Sequence, residues 1–208
     1  MRIAVLGGGP GGLYFAALAK QLDPRHEVHL WERNAPGDTF GFGVVFSDET
    51  LGGIEHADAA VFAAMERDFA RWDDIDVHYH GTVFTSGGHG FAAMSRHRLL
   101  AILQQRCAEL GIRAEFSTPA PDALTLAAEY DLVVAADGAN SATRSQLAGA
   151  VEPKVERDLC LLGLSLHAPL ASSVARRCRH SLSSVASMRI AAAVPWPSSP
   201  STRARAAR

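Results

Sequence analysis

Apolar and polar positions along this chain first fall into a recognisable order in "MRIAVLGGGPGGLYFAALAK". Residues 3–6 form an unbroken apolar run, the pattern of a strand buried on both faces in a parallel sheet. Residues 12–19 are apolar nearly all round, with Lys20 and Gln21 following, which predicts a helix packed tightly on that sheet. Asp23-Pro24 stops it. "HEVHLWER" supplies a second strand, and the unit of about thirty residues reads as a right-handed βαβ crossover.

The pattern then loosens. Residues 34–54 are rich in Gly, Asp, Phe and Thr without a clean period, and read as one long functional loop. A helix is expected over 57–71. "DVHYHGTVFT" alternates like a single strand, turned by "SGGHG". Residues 96–110 predict a helix whose Leu99, Leu100, Leu103, Cys107 and Leu110 share one face, with Gly111 as its C-terminal cap. "IRAEF" reads as a short strand and residues 123–130 as a short helix. "DLVVAAD" is a further buried parallel strand ending at Asp137-Gly138, and residues 140–147 begin another helix. These elements predict an α/β fold whose central parallel sheet contains residues 2–7, 27–32 and 131–136.

Charge divides the chain in two. Its 208 residues carry a net charge of −2, but all 22 acidic residues lie at or before Asp158, and the last 50 residues hold seven arginines. That closing stretch also holds ten serines and four prolines and has no sustained period. Net charge alone points to neither a nucleic-acid nor a membrane partner, and no apolar run reaches bilayer-spanning length. Three cysteines, Cys107, Cys160 and Cys178, are too few and scattered for a disulfide scaffold or zinc site; a reduced, cytoplasmic setting is expected.

The glycines carry the first chemistry. Gly7, Gly9 and Gly12 fit G-x-G-x-x-G between a strand and a helix. Gly7 allows the tight turn, Gly9 lets a pyrophosphate approach the backbone, and Gly12 lets the helix pack close to the strand. The helix N-terminus offers free N–H groups to the phosphates. The second half of the fingerprint is an acid ending strand two, and Glu32 stands there. Its carboxylate can accept from the adenosine ribose hydroxyls and would repel a ribose phosphate. Several other groups read more plainly. His78 and His80 suggest one exposed strand face with no third metal ligand, so no metal site is expected. Cys107 reads as core, and Asp73, Asp74 and Asp76 near Trp72 as a solvated turn.

The glycine motif alone leaves NAD and FAD open. With "GGGPGG" near the N-terminus and "DGANSATR" after a buried strand, the sequence resembles the aromatic-ring flavoprotein monooxygenases, the para-hydroxybenzoate hydroxylase-like group. That resemblance implies a Rossmann-like FAD-binding domain, with Gly11, Gly12 and Pro10 of the flavin variant at the phosphates and Glu32-Arg33 at the ribose. It implies Asp137 and Gly138 at the ribityl chain and Arg144 holding their loop. "SRHRLLAIL" resembles the family's Arg-x-x-Leu helix start, placing Arg96 near the ribityl and phosphate groups, with Arg98 the solvated alternative. "ERNAPGDTFGFGVVFSDETL" is similar to the subgroup acting on aromatic coenzyme A thioesters, such as salicylyl-CoA and 2-aminobenzoyl-CoA. The resemblance puts Gly43-Val44 against the flavin ring. Phe40, Phe42, Val44, Val45 and Phe46 are too apolar to be left in water together.

The implied reaction uses NADH or NADPH to reduce FAD, and oxygen activated on the flavin is then transferred to an aromatic ring. The cofactor supplies the hard chemistry, so no catalytic side chain is assigned and no Ser–His–Asp arrangement is needed. The expected organisation is an FAD-binding domain over 1–158, with a small β excursion about 73–95. Residues 159–208 would be an atypical basic tail, disordered or frameshifted, with the substrate domain truncated. Two alternatives stay open: a non-catalytic dinucleotide-binding remnant, and a small NAD(P)-dependent oxidoreductase.

Overall fold

The structure, a computed structural model, describes residues 1–149. The reading of 159–208 as an atypical tail lies outside the described residues. β1 (Arg2–Leu6), α1 (Pro10–Leu22) and β2 (Glu27–Trp31) form the expected βαβ unit, with β1 and β2 parallel and in register from Arg2↔Glu27 to Leu6↔Trp31. β8 (Arg113–Glu115) and β9 (Leu132–Ala135) extend the same sheet, whose order is β8-β2-β1-β9, all parallel. The chain therefore has the α/β fold with a central parallel sheet.

Strand alternation divides the core. Ile3 and Val5 pack with Leu13, Ala16 and Ala17 of α1 on one face. Ala4 and Leu6 pack on the other with Trp31 and with Ala123 and Leu126 of α5 (Ala123–Glu129). α4 (Arg96–Glu109) lies against α1 and buries Leu99, Leu100, Leu103 and Cys107. The Cys107 thiol donates to the Leu13 carbonyl at 3.3 Å, and burial pushes its pKa up to about 12. Gly111 takes a left-handed φ of 68° just past the helix, as a C-terminal cap requires.

The middle of the chain departs from its sequence pattern. The expected loop over 34–54 contains β3 (Gly43–Ser47) and most of α2 (Asp48–Ala57). β3 forms because it pairs antiparallel with β7 (Phe91–Ser95), a partner more than forty residues away that no local period reveals. β4 (Ala70–Trp72) pairs with the other edge of β7. The expected helix over 57–71 is only α3 (Ala59–Glu66). Asp58 separates it from α2 by accepting from the Ala60 and Val61 amides, both at 3.1 Å. The single strand expected over 76–85 is a hairpin of β5 (Ile75–Tyr79) and β6 (Thr82–Ser86). It turns at His80-Gly81, with φ of 45° and 80°, the left-handed pair that tight hairpins favour. His78 therefore lies in a strand and His80 in the turn, not on one strand face. Asp76 belongs to β5, where its carboxylate accepts from the Thr85 hydroxyl at 2.6 Å, and is no turn residue. β9 is parallel as expected but only partly covered, with Leu132 39% exposed at the end of the described sheet.

Candidate functional site

The glycine turn leaves the C-terminal end of β1, with neighbours at the ends of β2 and β9. Gly7 has a φ of 109°, and a Cβ there would stand 2.3 Å from the Ala136 carbonyl oxygen and 3.0 Å from the Asp137 Cα. A Cβ on Gly12 would stand 2.0 Å from the Gly7 oxygen. These two glycines are demanded by the chain itself. Gly9, the N-cap of α1, and Gly11 behave differently: a Cβ on either would meet nothing within 4 Å. Beside them the first N–H groups of α1 have no partner within the helix, and its first turn carries no acidic side chain. Pro10 takes the first helical position, where its missing N–H costs nothing.

Glu32 closes one side of the turn. Its Oε2 accepts from the Gly8 amide at 2.7 Å. Its Oε1 accepts from the Asn34 amide at 2.8 Å and from the Asn34 side-chain nitrogen at 2.6 Å. A Cβ on Gly8 would stand 2.7 Å from the Glu32 Cβ, so this third glycine follows from the carboxylate's position. Arg33 is exposed.

Glu32, Gly8 and Gly9 line a cleft whose far wall is Thr39, Phe40 and Arg96. Arg96 opens α4, and its amide donates to the Phe42 carbonyl at 3.1 Å, so the loop after β2 folds back onto the helix start. The Arg96 Nε is out of contact with solvent and has no hydrogen-bond partner. Arg98 instead bonds Asp68 at 2.6 Å outside this cleft. Gly43 pairs with Ser95, and the Val44 side chain packs on the core. Alternation along β3 turns Val44 and Phe46 inward. Phe40, Phe42 and Val45 remain 74%, 65% and 49% exposed, against the expectation that all five would leave water.

Asp137 borders Gly7 and braces its own loop. Its carboxylate accepts from the Ser141 hydroxyl at 2.6 Å and the Thr143 amide at 3.1 Å. Burial alone would raise its pKa, but these hydrogen bonds outweigh it and hold the carboxyl below its ordinary value. Gly138 has a φ of 85°. Arg144, in α6 (Ala142–Gln146), donates to the Ala139 carbonyl at 2.6 Å and ties the loop shut.

The tertiary structure thus gathers Gly9, Glu32 and Arg96 around one cleft and sets Asp137 against Gly7. Gly7, Pro10, Gly11, Gly12, Arg33, Gly43, Val44, Asp137, Gly138 and Arg144 do not line that cleft. Asn34 and Thr39 do, and the motifs did not mark them. Asn34 carries a faint signal, an amide two residues past the strand-ending acid; Thr39 carries none. The residues suit a dinucleotide: open space over Gly9 and Gly11, free amides, a carboxylate at the strand end, and a buried cationic atom without a partner. Among the described residues, no group of three or more His, Cys, Asp or Glu could hold a metal ion, and no helix is long and apolar enough to cross a membrane.

No family model matches the chain. Over 156 residues it is 46% identical to salicyloyl-CoA 5-hydroxylase from Streptomyces sp, a match covering 75% of this chain and 30% of that protein. It is 37% identical over 150 residues to 3-hydroxy-4-methyl-anthranilyl-(aryl-carrier protein) 5-monooxygenase from Streptosporangium sibiricum, covering 72% and 42%. The chain thus spans less than half the length of these relatives. In fold it is similar to the crystal structure of FqzB, with a TM-score of 0.58 at 22% identity, over 72% of this chain and 38% of that one.

Proposed function

We propose that this chain, homologous over three quarters of its length to salicyloyl-CoA and aryl-carrier-protein monooxygenases, is the FAD-binding part of an aromatic-ring monooxygenase. The observation that carries the reading is the division of labour among the glycines. Gly7, Gly8 and Gly12 are explained by contacts within the chain, whereas a Cβ on Gly9 or Gly11 would meet nothing within 4 Å, which leaves room for a ligand at the α1 N-terminus. A dinucleotide pyrophosphate at the α1 N-terminus uses that space, with Gly9, Pro10, Gly11 and Gly12 as its floor.

In this reading the dinucleotide-binding domain is the one expected over 1–158. Glu32 holds the adenosine ribose, and its charge disfavours a ribose phosphate. Arg33 reaches outward beside the ribose. Arg96 places its unpartnered guanidinium atom toward the phosphate and ribityl region. Asp137 and Gly138 receive the ribityl chain, with Arg144 keeping their loop in shape. Gly43 and the Val44 backbone stand at the ring, and the exposed Phe40 and Phe42 shield it from water. FAD, when bound, supplies oxygen activation and electron transfer; the side chains bind, orient and exclude water. NADH or NADPH serves as reductant, and the substrate is an aromatic acid held as a thioester of coenzyme A or a carrier protein.

Gel-filtered protein reconstituted with FAD should retain flavin absorbance, and excess NAD should not displace it. Retention of NAD but not FAD would overturn the flavin reading in favour of an NAD(P)-dependent oxidoreductase. The substrate class is tested by incubation with FAD, NADH or NADPH, oxygen and salicylyl-CoA. With this FAD-binding part alone, NADH oxidation should release hydrogen peroxide and leave the thioester unchanged; hydroxylated thioester is expected only from a chain that also carries the substrate domain, and its formation by this chain would overturn the reading of it as a part.

A further inference from the structure

Thr39 Oγ1 and Arg96 Nε share an unusual state: each is out of contact with solvent, and neither has a hydrogen-bond partner. Both residues line the cleft that also contains Gly8 and Gly9, whereas the other buried polar atoms without partners, on Tyr14, His26 and Trp72, belong to residues outside it. A buried donor left unsatisfied loses its hydration and gains nothing in return, so such atoms recur where a ligand completes them.

The loop geometry accounts for both residues lining one cleft. The Arg96 amide bonds the Phe42 carbonyl, and Gly41 takes a φ of 88°, where a Cβ would stand 3.9 Å from the Arg96 Cδ. This turn ties residues 41–42 to the start of α4, and Thr39 lines the same cleft as Arg96. Two carboxylates share the cleft and both are engaged: Glu32 by Gly8 and Asn34, and Asp38 by the Ala35 amide at 3.1 Å. A hydroxyl donor and a guanidinium donor lining one cleft suit a negatively charged group that can accept from both, as the oxygens of a phosphate do.

We infer that Thr39 is a binding residue for the dinucleotide, donating its hydroxyl to a pyrophosphate oxygen that Arg96 also binds. This rests on the dinucleotide reading above and extends it to a residue that no motif marked. Thr39→Val removes the hydroxyl at nearly constant shape, and Thr39→Ser retains it. Affinities for FAD and for ADP, which carries the pyrophosphate without the flavin, are measured by titration calorimetry, and Tm is measured without ligand. Thr39→Val is expected to weaken both ligands about tenfold, the scale of one hydrogen bond to a charged group. Thr39→Ser should bind as the original chain does. Because the hydroxyl has no partner to lose, the ligand-free Tm of Thr39→Val should hold or rise. Unchanged affinity in Thr39→Val would overturn the inference while leaving the FAD reading intact. So would a lowered ligand-free Tm, which would mark the hydroxyl as a structural group. If the original chain binds neither FAD nor ADP, the dinucleotide reading itself falls, and this inference with it.

Discussion

Glu32 is the residue on which the ribose assignment turns, and its hydrogen bonds limit what it can do. A carboxylate offers about four acceptor positions. Three are taken, by the Gly8 amide, the Asn34 amide and the Asn34 side chain. One remains on Oε2, so with Asn34 in place Glu32 can receive one ribose hydroxyl, not both. The donors around it are neutral amides, so its charge stays available to repel a ribose phosphate. Glu32→Ala should weaken FAD binding by roughly 1–3 kcal/mol, the range for a hydrogen bond to a charged group. It should also lower the ligand-free Tm, because two backbone amides lose their acceptor. Asn34→Ala frees one acceptor position and removes one side-chain bond, so its effect on FAD affinity should be the smaller of the two. Calorimetry on both variants checks the order; a larger loss in Asn34→Ala would show that Asn34, not Glu32, meets the ligand.

At the scale of elements, the entry into α1 separates glycines that fold the chain from those that leave room. Gly12→Ala would drive a Cβ to 2.0 Å from the Gly7 oxygen, so the helix must move off the strand. Overpacking of this kind costs about 1–3 kcal/mol or more, and a lower urea midpoint is expected. Gly9 has a φ of −70°, which any residue adopts, and open space beyond it. Gly9→Ala should leave the unfolding free energy within about 0.5 kcal/mol of the original chain, as surface changes do, while weakening FAD binding. Equal destabilisation by both would mean that the space over Gly9 belongs to the fold. The helices α1 and α4 and the strands β1 and β2 could be read from apolar runs and periods because each is long or strongly patterned. β3 and β7 could not. They are as long as β1 and β2, five residues each, but their pairing, Gly43↔Ser95 to Ser47↔Phe91, joins segments far apart in sequence.

For the whole molecule, one buried carboxylate joins three helices. Asp58, 3% exposed, caps α3, accepts from the Gln21 side chain at the end of α1, and pairs with Arg106 Nε of α4 at 2.9 Å. The Asp58 side chain is 1% exposed and that of Arg106 20%, so removing the cation strands a buried negative charge. The bond to Asp58 raises the Arg106 pKa, so the guanidinium stays charged at neutral pH. Arg106→Ala should destabilise the chain by about 3–5 kcal/mol, measured by urea unfolding. A loss below about 1 kcal/mol, the value of a surface pair, would show that the helices hold together without it. No motif in the sequence marks Asp58; it reads there as one more polar residue in an alanine-rich stretch.

What the sequence determined by itself was the βαβ unit, the glycine turn, the acid at the end of β2 and the Asp137-Gly138 strand exit. Each is local: an apolar run, a helical period, or a glycine where backbone must pass close to something. The tertiary structure alone decided that β9 lies beside β1, bringing Ala136 against Gly7 and thereby explaining that glycine. It also decided that the loop after β2 folds onto α4, so that Thr39 and Arg96 line one cleft. Those juxtapositions depend on sheet order and on an antiparallel partner distant in the chain. Their energy comes from contacts that no window of neighbouring residues contains.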